Sequence, residues 1–489
     1  MKGDFTRDTF DPRKHFSRVL MQQGRVQLDA DWNEQTAILL HYLRALAADI
    51  LGPHAGPQDA MGFEIITKDT ANASAKINAF EPDPARRKVL QDALDNRNAI
   101  IAPGRYYVRG VLVECHRAIL YTEQPGYGSG SEPTLEEIQK WKSGLLAYLD
   151  VWERHITYVE DDRIREVALG GPDTCTRAQV VWQVRILFQP QNVTTFDCNA
   201  VDALMPIGSG RLRARARLDK PPTELCVIPP ESRYRGAENQ LYRVEVHMGG
   251  TATGDAKSAT FKWSRENGSV TFPIRSLAGT TATLEHLGRD LHLGLSPGDW
   301  VEVVDDAIAM SEHAGPLAQV DSVDRDNLTV ALKLPSGAAT LPTYSETAAE
   351  GKHALLRRWD HAGDTTAFAG ALQIVEQPDT EAGRKTGWIA LEDGVQIWFA
   401  AGGKYRAGDY WLIPARTATG DVEWDDEVDG NGDPIIMDVD GNVLPELRGA
   451  NGPLHHYAPL LVSVNVTGAD NQPPRDCRCA IQHLPCLGT

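Results

Sequence analysis

The C-terminal sequence CRCAIQHLPC brings Cys477, Cys479, His483 and Cys486 together within ten residues. Thiolate and imidazole are the ligands that zinc prefers in tetrahedral sites. The spacing lacks the second closely spaced ligand pair that structural zinc sites use, so a thiol pair or a packed tail competes with a metal site. We treat these four residues as candidate zinc ligands and do not expect the fold to depend on them.

The acidic segment WDDEVDGNGDPIIMDVDGN (424–442) is rich in the oxygen ligands that calcium prefers. The candidate ligands are Asp429, Asn431, Asp433 and Asp438, with Asp426 and Asp440 close by in the sequence. When Glu427 is aligned with the first position of a calcium-binding loop, Gly432 fits the required glycine, but Asp438 stands where glutamate is usual. This mismatch favours a solvated loop. We therefore expect no cofactor, and calcium and zinc are the alternatives.

A row of alternating arginines lies in RLRARARLDK (211–220), and it consists of Arg211, Arg213, Arg215 and Arg217. In an extended strand these side chains share one face, because successive residues point to opposite sides. Four guanidinium groups could dock a carboxylate-rich or phosphate-bearing partner surface through paired hydrogen bonds. In so acidic a chain, the alternative is that they pair with the protein's own Asp and Glu or protect an edge strand, and we favour it.

Two histidine-bearing segments, RRWDHAGD (357–364) and GPLHHYAPL (452–460), hold the residues from which a hydrolase could be built. These residues are His361, His455, His456, Asp360 and Asp364. A hydrolytic site needs a nucleophile, a base and an orienting acid within hydrogen-bond reach, and the chain has no G-x-S-x-G elbow. Nucleotide-binding glycine motifs and H-E-x-x-H are also missing from the sequence. A non-enzymatic protein is therefore expected.

The charge of the chain limits its partners. Lys and Arg number 49 and Asp and Glu number 67, which gives a formal net charge of -18. Such a field repels phosphate backbones and anionic lipids, so nucleic acid and membrane surfaces are not expected partners. The longest apolar stretch, 37–51, is interrupted by charged residues and is too short for a membrane span.

The cysteine count and the N-terminal residues bear on where the protein is made. Seven cysteines in 489 residues cannot form a dense disulfide framework, and reduced thiols are the simpler expectation. Residues 1–36 contain no apolar targeting core, so we expect cytoplasmic synthesis without a signal peptide.

One substantial helix is predicted near the N-terminus. Asp31 can cap it, and Gly52 with Pro53 can end it. The apolar residues at helical spacing are Leu39, Leu43, Leu46 and Ile50. We expect this stripe to be buried, and a Leu43→Ala substitution to cost about 2–5 kcal/mol if the site is core.

The rest of the chain reads as short strands separated by Gly, Pro, Asn and Asp, so the predicted fold class is mainly β with several domains. In QVVWQVRILF (179–188) apolar and polar residues alternate as in a half-buried strand. The segment 293–334 predicts a small barrel-like unit in the middle of the chain. Pro- and Gly-rich joints suggest domains at 1–125, 133–220, 232–342 and 351–489.

Five blocks of sequence carry a resemblance to a known family. They are residues 1–36, YLDVWERHITYVEDDRIREVALGGPDT (148–174), YRGAENQLYRVEVHMGG (234–250), FKWSRENGSV (261–270) and GDYWLIPARTATGDVEW (408–424). The chain resembles an uncharacterised bacterial family associated with phage-tail-like contractile injection systems. The resemblance implies a structural or accessory component of such a particle, with the other components of the particle as partners. It also implies that the protein is found in the assembled particle, which can be released from the cell.

Two other classes of function stay open at this point. One is a hydrolase carried as cargo in the particle, built from the histidine-bearing segments. The other is a carbohydrate-binding adhesin, in which exposed members of the eleven tryptophans stack on sugar rings.

Overall fold

The computed structural model describes residues 1–128, 133–141, 143–193, 196–216, 233–255, 257–288, 290, 292–311, 313–363, 366–437, 443–463 and 474–481. Over these residues the chain is built mainly from β-strands, which confirms the predicted fold class. The helices are short apart from the first; they are α1 (Asp29–Leu51), α2 (Ala73–Phe80), α3 (Pro84–Asp95), α4 (Leu135–Lys140), α5 (Asp306–Met310), α6 (Glu346–Gly351) and α7 (Glu381–Arg384). In the described part of the chain no helix combines the length and hydropathy needed to cross a bilayer.

The strands form several small sheets. In chain order they are β1 (His54–Pro57), β2 (Ile65–Ile66), β3 (Ile100–Ile101), β4 (Gly104–Val108), β5 (Val111–Cys115), β6 (Ile119–Leu120), β7 (Leu145–Ile156), β8 (Arg177–Phe188), β9 (Arg211–Arg215), β10 (Gln240–Met248), β11 (Thr260–Ser264), β12 (Thr271–Ala278), β13 (Thr281–Leu284), β14 (Trp300–Val304), β15 (Leu317–Asp324), β16 (Thr329–Lys333), β17 (Leu355–Trp359), β18 (Leu372–Gln373), β19 (Glu376–Gln377), β20 (Ile389–Ala390), β21 (Gln396–Ala400), β22 (Tyr410–Arg416), β23 (Asp421–Val422), β24 (Arg448–Gly449), β25 (His456–Ser463), β26 (Arg475–Asp476) and β27 (Ala480–Ile481).

Strands that are distant in the sequence share sheets. The C-terminal strand β25 pairs with β7, in the order β26-β25-β7-β8, and β27 pairs with β1 near the other end of the chain. In the same way β9 pairs with β21 and β24, and β10 pairs with β22. Each of the four predicted ranges 1–125, 133–220, 232–342 and 351–489 therefore shares at least one sheet with another range, while the division into domains itself stays a prediction.

A closed six-stranded barrel occupies the middle of the chain, in the order β12-β13-β16-β15-β14-β17. Its interior is filled by buried apolar side chains, among them Phe272, Leu277, Val301, Val320 and Leu356. The barrel includes the predicted unit 293–334, but it begins earlier, at Thr271, and ends later, at Trp359. The strands on either side of 293–334 close the ring, and local turn signals do not show which distant strand pairs at a barrel seam.

The half-buried strand predicted at 179–188 lies inside β8 and is covered on both faces. Val184 is buried on one side, and Gln183 and Arg185 are buried on the other. The polar face is covered because Arg185 pairs with Asp150 of the neighbouring strand β7, with 3.1 Å between Nε and Oδ2. The alternation of polar and apolar residues therefore arises here from a buried ion pair and not from a face exposed to solvent.

The predicted N-terminal helix is present, but its environment differs from the prediction in two ways. It begins at Asp29, and the Asp31 carboxylate accepts a hydrogen bond from the Leu28 N–H at 3.2 Å, so Asp31 lies inside the first turn. The predicted core stripe faces solvent, with Leu43 61% exposed. The helix rests on the body through another face, which contains the buried Ala30 and Ile38.

At concentrations low enough for the chain to be monomeric, we expect Leu43→Ala to change the free energy of unfolding by no more than about 0.5 kcal/mol, as at ordinary surface positions. Ile38→Ala on the same helix should cost about 2–5 kcal/mol, because it removes a fully buried side chain. Urea unfolding of the two variants beside the unsubstituted protein compares them directly. A large loss for Leu43→Ala would mean that its side chain is covered within the folded chain.

Candidate functional site

An apolar seam runs along the solvent side of α1. We use this name for Trp32, Leu39, Leu43, Leu46 and Ile50, each of which is more than half exposed. The last four follow one another at intervals of four, three and four residues, which is the spacing of the core positions of a coiled coil. Leu40 and Tyr42 widen the same exposed face. Contiguous exposed apolar surface is typical of sites that contact another molecule.

A basic arm, residues 13–26, leads into this helix and is also exposed. It carries the basic residues Arg13, Lys14, Arg18 and Arg25 and no acidic residue. Its exposed apolar side chains are Phe16, Leu20, Met21 and Val26. The Val19 N–H donates to Gln35 Oε1 at 2.8 Å, which ties the arm to α1. The basic arm and the apolar seam together form an exposed apolar surface. The arm adds positive charge to this surface, although the chain as a whole is strongly negative.

The predicted arginine ridge does not form an exposed surface. Arg213 is only 1% exposed and pairs with Glu427 at 2.6 Å and with Asp379 at 3.3 Å. Arg215 is buried too, donates from Nε to Gln396 Oε1 at 2.9 Å, and stacks over Trp388. The strand is central, between β21 and β24, so both of its edges are paired, and the burial of Leu212 and Arg213 shows that both of its faces are covered. Arg213 therefore pairs with acidic residues of its own chain, as the favoured alternative predicted. Arg211 is exposed, and Arg217 lies outside the described residues.

Of the four C-terminal candidate zinc ligands, the structure describes Cys477 and Cys479, and these two are in different chemical states. Cys477 forms a disulfide with Cys198, so its sulfur is not available as a thiolate ligand, while Cys479 is an exposed free thiol. His483 and Cys486 lie outside the described residues. The disulfide also corrects the expectation of reduced thiols, since the partners are 279 residues apart and their proximity depends on the tertiary fold.

The acidic loop uses one of its candidate calcium ligands to hold its own backbone. Asp429 Oδ1 accepts hydrogen bonds from the N–H groups of Asn431 at 2.8 Å and Asp433 at 3.0 Å. These bonds lower the pKa of Asp429. Asp438 and Asp440 are not among the described residues, and within those that are, no group of three or more His, Cys, Asp or Glu side chains is arranged to hold a metal ion.

The histidine-bearing segments contribute to two separate arrangements. His361 is buried, its Nε2 lies 2.9 Å from the Gly370 carbonyl oxygen, and its ring stacks on Trp300. His455 instead lies 2.7 Å from Asp150 Oδ1, and Asp150 also pairs with Arg185. Asp360 accepts from the Arg265 backbone N–H, and Asp364 is not described. The His455–Asp150 pair is thus part of a buried ion network and has no hydroxyl or thiol within hydrogen-bond distance among its described contacts.

A buried charge cluster joins the sheet of β10 and β11 to the barrel. Glu245 and Lys262 stand directly opposite each other on β10 and β11. The ammonium group of Lys262 is fully buried, lies 2.7 Å from Glu302 Oε2 on barrel strand β14, and sits over the Trp359 ring at 4.4 Å. Arg243 and Lys2 bind Glu245 at 2.6 and 2.9 Å. Ion pairs therefore connect the sheet of β10 and β11 to the barrel.

Both carboxylates of this charge cluster are held in the ionised form. Burial alone would raise the pKa of Glu302, but Lys262 and Lys2 lower it to about 2. Burial likewise opposes ionisation of Glu245, and the charges of Lys2, Arg243 and Lys262 bring its pKa well below the usual range. Both carboxylates are therefore ionised at neutral pH, and each lies against several donor groups.

A cavity of about 360 Å³ opens beside the charge cluster. Its polar wall includes Lys2, Arg243, Glu245, Glu302 and Arg357, and apolar side chains such as Val151, Ile308 and Leu355 line the rest. Sequence reasoning missed both features. The available signal was a charged residue between apolar neighbours in predicted strands, as in YRVEV and FKW, which marks a buried charge that needs a partner.

The fold and these sites define a multi-sheet β protein with a central barrel, an internal charge cluster and an exposed apolar helix. The chain belongs to a family of unknown function, DUF6519, whose model matches residues 1–209 and 192–486. The description of this family names no activity, ligand or assembly. Neither the curated proteins nor the solved structures include one that matches this sequence.

Proposed function

We propose that this protein is a structural component that acts by protein–protein assembly, and that the apolar seam of α1 is its contact surface. The observation that carries the proposal is the exposure of Leu39, Leu43, Leu46 and Ile50 at coiled-coil spacing. A soluble helix normally buries its apolar stripe, because burial of apolar surface supplies most of its stability. Here the helix has one face on the body and leaves its larger apolar face for a partner.

The partner that fits this seam best is a second copy of the same chain. A seam with core positions at alternating three- and four-residue spacing is complementary to itself, so two or more copies can pack knobs into holes. The charges favour the same pairing. The arm carries four basic residues and no acidic one, whereas α1 carries Asp29, Asp31, Glu34 and Asp49 against Arg44 alone. The arm of one copy can therefore lie against the acidic helix of another.

For the setting of this assembly we propose a phage-tail-like contractile injection particle, which rests on the sequence resemblance. All eleven tryptophans lie within the described residues, and only Trp32 is exposed. A structural component is therefore favoured over an adhesin, which would need exposed tryptophans to stack on sugar rings. Trp32 lies in the apolar seam and so belongs to the assembly surface. The disulfide suits a particle that is released from the cell, because disulfides persist in oxidising surroundings.

We expect the purified protein to form oligomers that dissociate on dilution, and the double variant Leu43→Glu, Leu46→Glu to be monomeric. Two carboxylates in the seam would have to be buried without partners on association, which is costly. Sedimentation velocity over a range of concentrations measures the effect. Leu169→Glu is the matched control, because Leu169 is 67% exposed and belongs to a different element, the short 3-10 helix Val167–Leu169.

A monomeric unsubstituted protein at every concentration would overturn the second copy as the partner. The particle setting is tested separately. The protein should copurify with sheath and tube proteins in fixed stoichiometry, and the double variant should be lost from the particles. Substoichiometric recovery with enzymatic activity would instead support the cargo alternative.

A further inference from the structure

We propose that the cavity beside the charge cluster binds a small organic anion through Arg357. This inference is independent of the proposed assembly function. It rests on the charges of the cavity wall, on one arginine that lacks an acidic partner, and on the mixed polar and apolar lining of the space.

The charge cluster beside the cavity contains more positive than negative groups. Four cationic side chains, Lys2, Arg243, Lys262 and Arg357, are gathered around only two carboxylates, Glu245 and Glu302. Three of the four cations have direct ion pairs with these carboxylates. Buried charge without compensation is costly, so the excess of two cations in this cluster favours an anion in the adjoining cavity.

Arg357 is the cation without a partner. Its side chain is buried, and within the described residues it forms no ion pair. One nitrogen, Nη1, donates to the Gly268 carbonyl, while the buried Nε has no hydrogen-bond acceptor. Its chain neighbour Arg358 differs, since it binds the His292 and Gly294 carbonyls and pairs with Asp360. An oxyanion could bind the guanidinium group of Arg357 where it lines the cavity, because the guanidinium fork matches carboxylate and phosphate oxygens.

The other carboxylates in the cavity wall already have partners. Glu160 accepts from Thr157 and Arg154, Glu153 binds Arg44, and Asp305 accepts from Tyr344. The pKa of His155, another residue that lines the cavity, also reflects the neighbouring positive charges. Burial together with neighbouring cations, Arg357 and Arg243 among them, lowers the pKa of His155 to about 3.

The size and lining of the cavity define the class of ligand. A space of about 360 Å³ is within the range of small-molecule sites. Val151, Ile308 and Leu355 provide apolar contacts beyond the charged wall. The ligand is therefore a small molecule with one phosphate or carboxylate group and an apolar portion.

Equilibrium dialysis with radiolabelled inorganic phosphate, and separately with labelled butyrate, tests the site and distinguishes the two head groups. We expect one of these probes to bind once per chain. Arg357→Met should weaken binding about tenfold or more, as the loss of one charged hydrogen bond predicts. Arg265→Gln is the control, because Arg265 is paired with Glu392 and does not line the cavity.

A second variant keeps the test valid if Arg357→Met folds poorly. Ala309→Phe fills the cavity without altering any charge, and it should also abolish binding. Near-ultraviolet circular dichroism reports whether each variant is folded. Failure of both probes to bind the unsubstituted protein, or equal binding by folded Arg357→Met, would overturn the proposal. Neither result bears on oligomerisation through α1.

Discussion

Glu302→Ala is expected to cost about 3–5 kcal/mol in the free energy of unfolding, the usual penalty for removing one partner of a buried ion pair. Glu302 accepts hydrogen bonds from the Gly315 N–H and the Trp359 indole, both at 2.9 Å, besides its contact with Lys262. The substitution would leave the fully buried Lys262 ammonium with Glu245 alone, 3.6 Å away. Urea unfolding followed by tryptophan fluorescence measures the loss.

The double variant Lys262→Met, Glu302→Leu separates the charge from the packing. It removes both charges and keeps similar side-chain volumes, so it should be less destabilised than Glu302→Ala. If the double variant is less stable than Glu302→Ala, the destabilisation comes from altered packing and not from the unpaired Lys262 ammonium.

Acid titration of the unsubstituted protein gives an independent check on Glu302. Its pKa in the folded protein is about 2, below the value of 4.5 for an unperturbed glutamate. The unfolded chain therefore binds the proton more readily, so the stabilisation is fully present above pH 4.5 and is lost as the pH falls toward 2. Glu302→Ala should show a shallower loss of stability over that window.

The sequence predicted those features that depend on neighbouring residues. The N-terminal helix, the mainly β character and the part of the barrel at 293–334 were visible because apolar spacing and turn residues act over a few positions. The exposed face of α1 was not predictable, since periodicity shows that a helix has an apolar stripe but not whether that stripe meets its own chain. The pairing of Lys262 with Glu302 was equally hidden, because it depends on how the barrel meets the next sheet.

The disulfide between Cys198 and Cys477 is expected to stabilise the fold by about 5–6 kcal/mol in the chain-entropy model, because it closes a very long loop. It also fastens residues 474–481 to the sheet of β7 and β25, where Cys477 packs with Leu146 and Phe196. The same C-terminal segment supplies β27, which pairs with β1 near the opposite end of the chain. We therefore expect Cys198→Ser to lower the melting temperature by several degrees.

Reducing agent provides the matched comparison for this prediction. It should lower the melting temperature of the unsubstituted protein to that of Cys198→Ser, and it should leave Cys198→Ser itself unchanged. Cys175→Ser is the control, because Cys175 is an exposed free thiol whose loss should not alter the response to reductant. Peptide mapping without reduction should recover the linked peptides. Free thiols at both positions, with no effect of reductant on melting, would show that contacts such as β27 with β1 hold the C-terminal segment without a covalent link.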